Sequence, residues 1–341
     1  MRAQRQILIQ QLEASRNSKV LLFFTGDRRN LETMIASDVY DLFVNHLDKV
    51  GVVKKLSLFL YTRGGDTLTA WSLVNLIRQF CEELEIIIPS KALSAGTLMS
   101  LGADNIVMTK QATLGPIDPS LNHPLNPQIP GRPPDAKAPV SVEEINGFIE
   151  LAKGELNLKG QKELGEVLSL LTQHVHPLVL GAAFRTKSQI QMLARRLISH
   201  QVTDKKKVCS IISFLCSESG SHDYTIHRRE ARELGLKIES PDDGLYALIK
   251  AIYDDIEAEL ELGTTFDPKT YLGTQPSRDY CFKRALLESL AGGSHFCTTE
   301  GRFEQQQMQT PAGLQIRIND HRTYEGWRHE QISNNSNTGT N

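Results

Sequence analysis

Two glycine-bearing turns carry the residues best equipped for chemistry. Thr62-Arg63-Gly64-Gly65-Asp66 follows one apolar run, Ser90-Lys91-Ala92-Leu93-Ser94-Ala95-Gly96-Thr97 follows the next, and each opens onto a helical pattern. Adjacent glycines let a backbone approach a substrate closely with its N–H groups bare. A serine at a helix start sits where free N–H groups and the helix dipole favour a developing negative charge. A hydroxyl nucleophile beside amides that stabilise an oxyanion is the equipment of acyl transfer. Taken singly, Ser94 is also a common N-cap and Gly-Gly a common turn filler. Their pairing in this order is what points to chemistry.

The elements that must position these turns are legible in the apolar pattern. Residues 20–27 (VLLFFTGD), 56–62 (LSLFLYT), 84–90 (LEIIIPS) and 105–110 (NIVMTK) read as buried strands bounded by polar residues or Gly. Between the second and third, Leu73, Leu76, Ile77 and Phe80 recur at the spacing of one helical face. Strands alternating with helices imply an α/β fold with a mostly parallel sheet. In such a sheet ligands collect outside the carboxyl ends of the strands, so both turns are expected to face one crevice.

Beyond this core, residues 116–139 hold prolines at 116, 119, 124, 127, 130, 133, 134 and 139 and read as a long irregular loop, either a lid or substrate-facing segment or a surface insertion with no role. Residues 142–201 are helical, with an apolar stripe of Ile190, Leu193, Ala194, Leu197 and Ile198. A short helix then ends at Gly235 before a strand. The boundaries read from these shifts are an N-terminal helix over 1–18, a core over 19–240, an α+β extension over 241–332 and a polar, disordered tail over 333–341.

Composition removes several function classes. The 38 Lys+Arg and 40 Asp+Glu nearly cancel to a net charge of −2, so a generic nucleic-acid binder with a strongly basic field is not expected. The five cysteines form no CxxC pair, which argues for reduced thiols over a disulfide scaffold or structural zinc. The charged, Gln-containing start lacks the apolar core of a secretory signal, and no run approaches the length of a bilayer span, so no membrane segment is expected. GxGxxG, GxxxxGK[ST], HExxH and GxSxG are absent. No cofactor is expected.

The run Gly64-Gly65-Asp66, Ser94-Ala95-Gly96-Thr97, Leu101-Gly102-Ala103 and Leu114-Gly115-Pro116-Ile117-Asp118-Pro119 resembles the Clp/crotonase-fold serine peptidases, above all the serine dehydrogenase proteinase family, with signal peptide peptidase A and the Clp proteolytic subunit as relatives. Glu230-Ala231-Arg232-Glu233-Leu234-Gly235-Leu236 is similar to the helix and turn that close the core in its peptidase members. The resemblance covers roughly residues 19–240 and implies a ββα superhelix core with a helical insertion. It further implies that Ser94 is the nucleophile and that the N–H groups of Ala95 and of Gly64 or Gly65 form the oxyanion hole. Where the Clp subunits carry a catalytic His, this chain carries Asp118. Membrane-associated relatives use a Lys some forty to fifty residues beyond the serine, which leaves Lys137 and Lys153 as candidates.

A lysine accepts a proton near neutral pH only when burial or a nearby cation lowers its pKa by several units. Lys137 would meet that condition if its loop closed, whereas Lys153 reads as a solvated surface charge. His123, His174 and His176 need less tuning. His176 heads a helix before Pro177, in a position expected to face the core. His222 and His227, with Asp223, fit no common ligand spacing. Arg63 is placed to bind a substrate carboxylate or phosphate, or to form a salt bridge.

The function expected is a cytosolic, ATP-independent serine peptidase that cuts peptides or unfolded segments through a Ser94 acyl-enzyme. With no ATPase motif, any unfolding power must come from a separate partner protein. The alternatives are acyl-CoA chemistry on the crotonase fold and a non-catalytic oligomeric scaffold. By analogy the chain forms trimers or hexamers, with 142–201 at the interface.

Overall fold

Strands β1 (Lys19–Thr25) and β2 (Val53–Tyr61) carry apolar residues on both faces because the sheet is covered on both sides there. The computed structural model describes residues 2–117, 120–121, 123–133, 135–218, 223–310 and 313–330. In β1, Leu21 and Phe23 enter one core while Val20, Leu22 and Phe24 enter the other. In β2, Leu58 and Leu60 divide from Phe59 and Tyr61 in the same way. The two-residue period of a strand therefore feeds two separate cores from one run of apolar residues.

The first core lies under helices α2 (Tyr40–Val50), α3 (Thr67–Ile77) and α4 (Ala95–Leu101), and it also takes the apolar stripe read around residues 190–198. The second is closed by α1 (Arg2–Arg16), which contributes Ile9 and Leu12, and by the helix Asp243–Glu259, which contributes Leu245, Ile249, Ile252 and Ile256. Fully buried Arg5 on α1 is bound by three carboxylates, Asp255, Glu259 and Glu288. This ion cluster fastens α1 to that helix and to the sheet.

The remaining strands are β3 (Cys81–Ile88), β4 (Lys91–Ala92), β5 (Asn105–Met108), β6 (Thr113–Leu114), β7 (Ser120–Leu121), β8 (Val140–Ser141), β9 (Ile226–His227), β10 (Ile238–Glu239), β11 (Ser277–Ser289), β12 (Gly293–Thr310) and β13 (Gly313–His329). The eight-stranded main sheet has the order β10-β5-β3-β2-β1-β11-β12-β13. It is parallel from β10 to β1 and antiparallel from β1 onward. Strands β4, β6 and β9 form a small second sheet at its carboxyl end. The α/β class and the largely parallel core agree with the sequence reading; the antiparallel run that extends β1 was not anticipated by it.

Helices α5 (Val142–Glu150), α6 (Gln161–His174) and α7 (Pro177–Ile198) follow the Pro-rich loop. Among the described residues no single helix is long and apolar enough to cross a membrane; the pair α6 and α7, bent by 105°, passes by length and composition together.

Candidate active site

Ser94 stands between β4 and α4 as the N-cap of α4, with φ 50° and ψ −111°. A non-glycine residue at positive φ is strained by about 1–3 kcal/mol and persists only where the surroundings over-determine it. Those surroundings are visible. Thr62 N–H donates to Lys91 O (3.1 Å) and Leu93 N–H to Thr62 O (3.0 Å), so the end of β2 grips β4 on either side of Ala92. On the helix side, Leu98 N–H donates to Ser94 O (3.0 Å). Ser94 is half-buried, and its hydroxyl makes no hydrogen bond among the described residues. It does not use its side chain as a cap, unlike Asp66 at the start of α3, whose carboxylate accepts from Thr69 N–H at 2.6 Å.

The glycine turn lies directly against the serine. A Cβ at Gly64 would stand 2.8 Å from Ser94 Cβ and 3.0 Å from Leu93 O, and one at Gly65 would stand 2.3 Å from Ile35 O. Both glycines also have positive φ, 117° and 144°, so neither position accepts a side chain. The segment around Ile35 holds the turn from its other side through Ile35 N–H to Gly64 O and Asp66 N–H to Ile35 O, both 2.8 Å.

The structure separates the two glycines that the sequence left equivalent. Gly64 N–H is already spent, donating to Thr62 Oγ1 at 2.9 Å. The N–H groups of Gly65 and Ala95 donate to nothing among the described residues. Thr62 decides this. Its fully buried hydroxyl also shares a 2.6 Å hydrogen bond with Thr25, and its methyl fills the space beside Gly96. Nothing in the sequence marks Thr62 beyond its place at the head of a turn, because its hydrogen-bond partners lie on another strand and two residues ahead.

Other ties fix the helix and the strand before it. Thr97, buried in α4, accepts from Gly115 N–H (3.0 Å) and lies 2.8 Å from Gly115 O, which binds the Leu114-Gly115-Pro116 segment to the helix. Asp27 accepts from Tyr61 Oη (2.6 Å) and from Lys91 Nζ (2.8 Å), which anchors the start of β4.

The candidate bases are placed as follows. Lys137 is exposed in the Pro-rich loop, in an antiparallel bridge with Gln128. His176 is exposed rather than facing the core; it caps α7, with Nδ1 accepting from Leu178 N–H at 3.2 Å. The reason is Pro177, which starts the helix without an N–H of its own and leaves the histidine as the capping group. Half-buried His123 accepts from Leu125 N–H (3.1 Å), while Lys153 and His174 are exposed. None of the five is hydrogen-bonded to Ser94. Asp118 and His222 lie outside the described residues, and His227 is exposed at the start of a short helix. Arg63 is exposed and, among the described residues, forms no salt bridge. Among the described residues no group of three or more His, Cys, Asp or Glu side chains is arranged to hold a metal.

A solved mutant of the 1510-N membrane-bound stomatin-specific protease in complex with a substrate peptide is similar in structure, with a TM-score of 0.35 and 15% identity over 62% of this chain and 73% of that one. ClpP1 from Listeria monocytogenes gives 0.36 and 14% over 70% of this chain and 99% of that one. An uncharacterized protein of Methanocaldococcus jannaschii is 27% identical over 187 residues, 55% of this chain and 54% of that protein, so the match spans about half the relative's length. Residues 1–130, which contain both glycine turns and Ser94, match the family described as ClpP-like SDH-type serine proteinase, and the resemblance read from those turns is borne out.

Proposed function

We propose that this chain is a serine peptidase acting through a Ser94 acyl-enzyme on peptides or unfolded protein segments. One observation carries the reading: a strained serine is held against a glycine turn, and among the described residues its hydroxyl is unengaged and two neighbouring amides, Gly65 and Ala95, have no acceptor. Ser94 Oγ attacks the scissile carbonyl carbon while its proton passes to a base. The carbonyl oxygen becomes the oxyanion between the two amides. The C–N bond then breaks, the departing amine takes the proton, and water hydrolyses the ester by the same steps in reverse roles.

For the base we favour Lys137 over His176. The His176 Nδ1 lone pair is engaged by the helix cap, whereas Lys137 is free to move with its loop and to lose water when the loop closes over substrate. The assignment further includes a cytosolic, ATP-independent enzyme, assembled as a trimer or hexamer through α6 and α7. Helix α6 buries no residue, and Leu168, Leu170, Leu178 and Phe184 are exposed on this pair. A separate protein would supply unfolding where folded substrates are cut.

The test is labelling by a fluorophosphonate and cleavage of an unfolded protein substrate. Ser94→Ala is expected to abolish both, Lys137→Ala to slow both at least a hundredfold, and His176→Ala to leave both within threefold. Cleavage that survives in Ser94→Ala removes the assignment; full activity in Lys137→Ala removes the lysine from it.

A further inference from the structure

Strand β13 is the outer edge of the eight-stranded sheet and runs for 17 residues; among the described residues it pairs with β12 alone. Its outward backbone groups pair with no other strand among the described residues; Trp327 O accepts from the Tyr324 hydroxyl of the same strand, at 3.0 Å. A long unpaired edge is a template for another strand. The inner neighbour gives incomplete support, because its last backbone bond to β12 is Gln305 N–H to Pro276 O (2.7 Å), which leaves residues 306–310 of β12 and 313–317 of β13 as a two-stranded projection. Such a ribbon is marginal in water without a third strand. Ile316 on it is 61% exposed.

The side chains of β13 are self-complementary about His321. Pairing in β12 assigns Ile316, Ile318, Asp320, Arg322, Glu325 and Trp327 to one face of the sheet, since their partners are alternate residues Gln307, Gln305, Phe303, Gly301, Thr299 and Cys297. Thr323 is skipped, as Glu300 pairs with Tyr324 and Gly301 with Arg322. An antiparallel second β13 placed on a two-fold axis at His321 sets Asp320 of each copy opposite Arg322 of the other. With the Thr323 bulge taken up, Ile316 of each copy falls opposite half-buried Trp327 of the other. Opposite charges and aromatic–aliphatic contacts at paired positions each stabilise an antiparallel pair. A shift of the axis by one residue loses both charge pairs.

We infer that two copies of this chain associate edge to edge through β13, continuing the sheet across a two-fold axis at His321. The contact is isologous, so it closes on itself and adds one doubling to whatever assembly other surfaces build. It uses none of the residues assigned to the Ser94 site.

Light scattering with size exclusion at tens of micromolar reads the particle mass. Arg322→Glu places like charges at both ends of the central pair and is expected to halve the wild-type mass, and Asp320→Arg is expected to do the same. Mixing the two variants restores opposite charges at every position, so the full mass returns as a one-to-one heterodimeric contact. His321→Cys should give a reducible covalent dimer under mild oxidation, while Gln315→Cys should not. A wild type that is monomeric under these conditions, a mass unchanged in both charge variants, or single variants that stay folded by circular dichroism yet do not recombine on mixing would each overturn the proposal. An assembly that persists in both variants would belong to another face, such as α6 and α7.

Discussion

Replacing Thr62 by valine isolates what its hydroxyl does, because valine keeps the shape and the methyl beside Gly96 while removing the oxygen. Two buried groups lose their partner, Gly64 N–H at 2.9 Å and the Thr25 hydroxyl at 2.6 Å. Each unmet buried polar group costs about 1–3 kcal/mol, and Thr25 keeps the freedom to rotate, so a loss of about 2–4 kcal/mol in stability is expected. The site should suffer as well. Without the Thr62 acceptor, the Arg63–Gly64 peptide loses its anchor, and the next peptide, which carries Gly65 N–H, is then positioned only by the Ile35 N–H donated to Gly64 O. Complete removal of one oxyanion donor costs about a hundredfold to a thousandfold in rate, so partial misplacement should cost about tenfold to a hundredfold. Urea unfolding measures the first effect, and the second-order rate of fluorophosphonate labelling, taken far from the unfolding midpoint, measures the second. Thr62→Ser keeps the oxygen and should recover most of the labelling rate. A valine variant that labels at the wild-type rate, or a serine variant that falls as far as valine, refutes the proposed role of the hydroxyl.

Acid stability tests the buried histidine on α2. His46 is fully buried, bonded to Ser289 Oγ at 2.8 Å and to His295 Nδ1 at 2.9 Å, and burial, helped by His295 and Lys49, pushes its pKa down to about 3. An unfolded histidine takes its proton near 6.5, so this contribution is complete above that pH and is lost as pH falls toward 3; between pH 7 and pH 4 the loss is about 3 kcal/mol. His295, whose pKa burial pushes down to about 4, adds a loss of its own over the same range, so His46→Gln should make that part of the urea-unfolding profile shallower by about the His46 share, and an unchanged profile would refute the assignment. At Arg5, substitution by methionine takes the cation from Asp255 and Glu288 and leaves Glu259 with Lys283 alone; it should cost about 3–5 kcal/mol at pH 7 and less at pH 5, where a buried carboxylate left without its cation takes up a proton. Equal destabilisation at both pH values would mean that lost packing, not lost charge pairing, governs the site.

The parts of this site that were legible in the sequence are those encoded by neighbours along the chain. Strand, glycine turn and helix follow one another within a few residues at Gly64-Gly65 and again at Ser94, so periodicity and turn chemistry were enough to place both at the carboxyl end of a sheet. What escaped depends on contacts between segments far apart. Gly64 and Gly65 are chemically identical, and only the Thr62 hydroxyl, itself fixed by Thr25 on another strand, makes one amide unavailable and leaves the other free. His176 illustrates the converse: its position before a proline promised an inward-facing side chain, but the local need for a cap turned it outward. The antiparallel extension of the sheet escaped for a related reason, since β11 reaches β1 across more than 250 residues of chain and carries no turn signal that names its neighbour. A serine in a positive-φ turn gains nothing for the fold that Gly would not supply with less strain. That Ser94 occupies such a turn with its hydroxyl unengaged among the described residues, while Asp66 caps α3 in the ordinary way, is a strain to which the proposed acyl-enzyme reaction gives a purpose and capping does not.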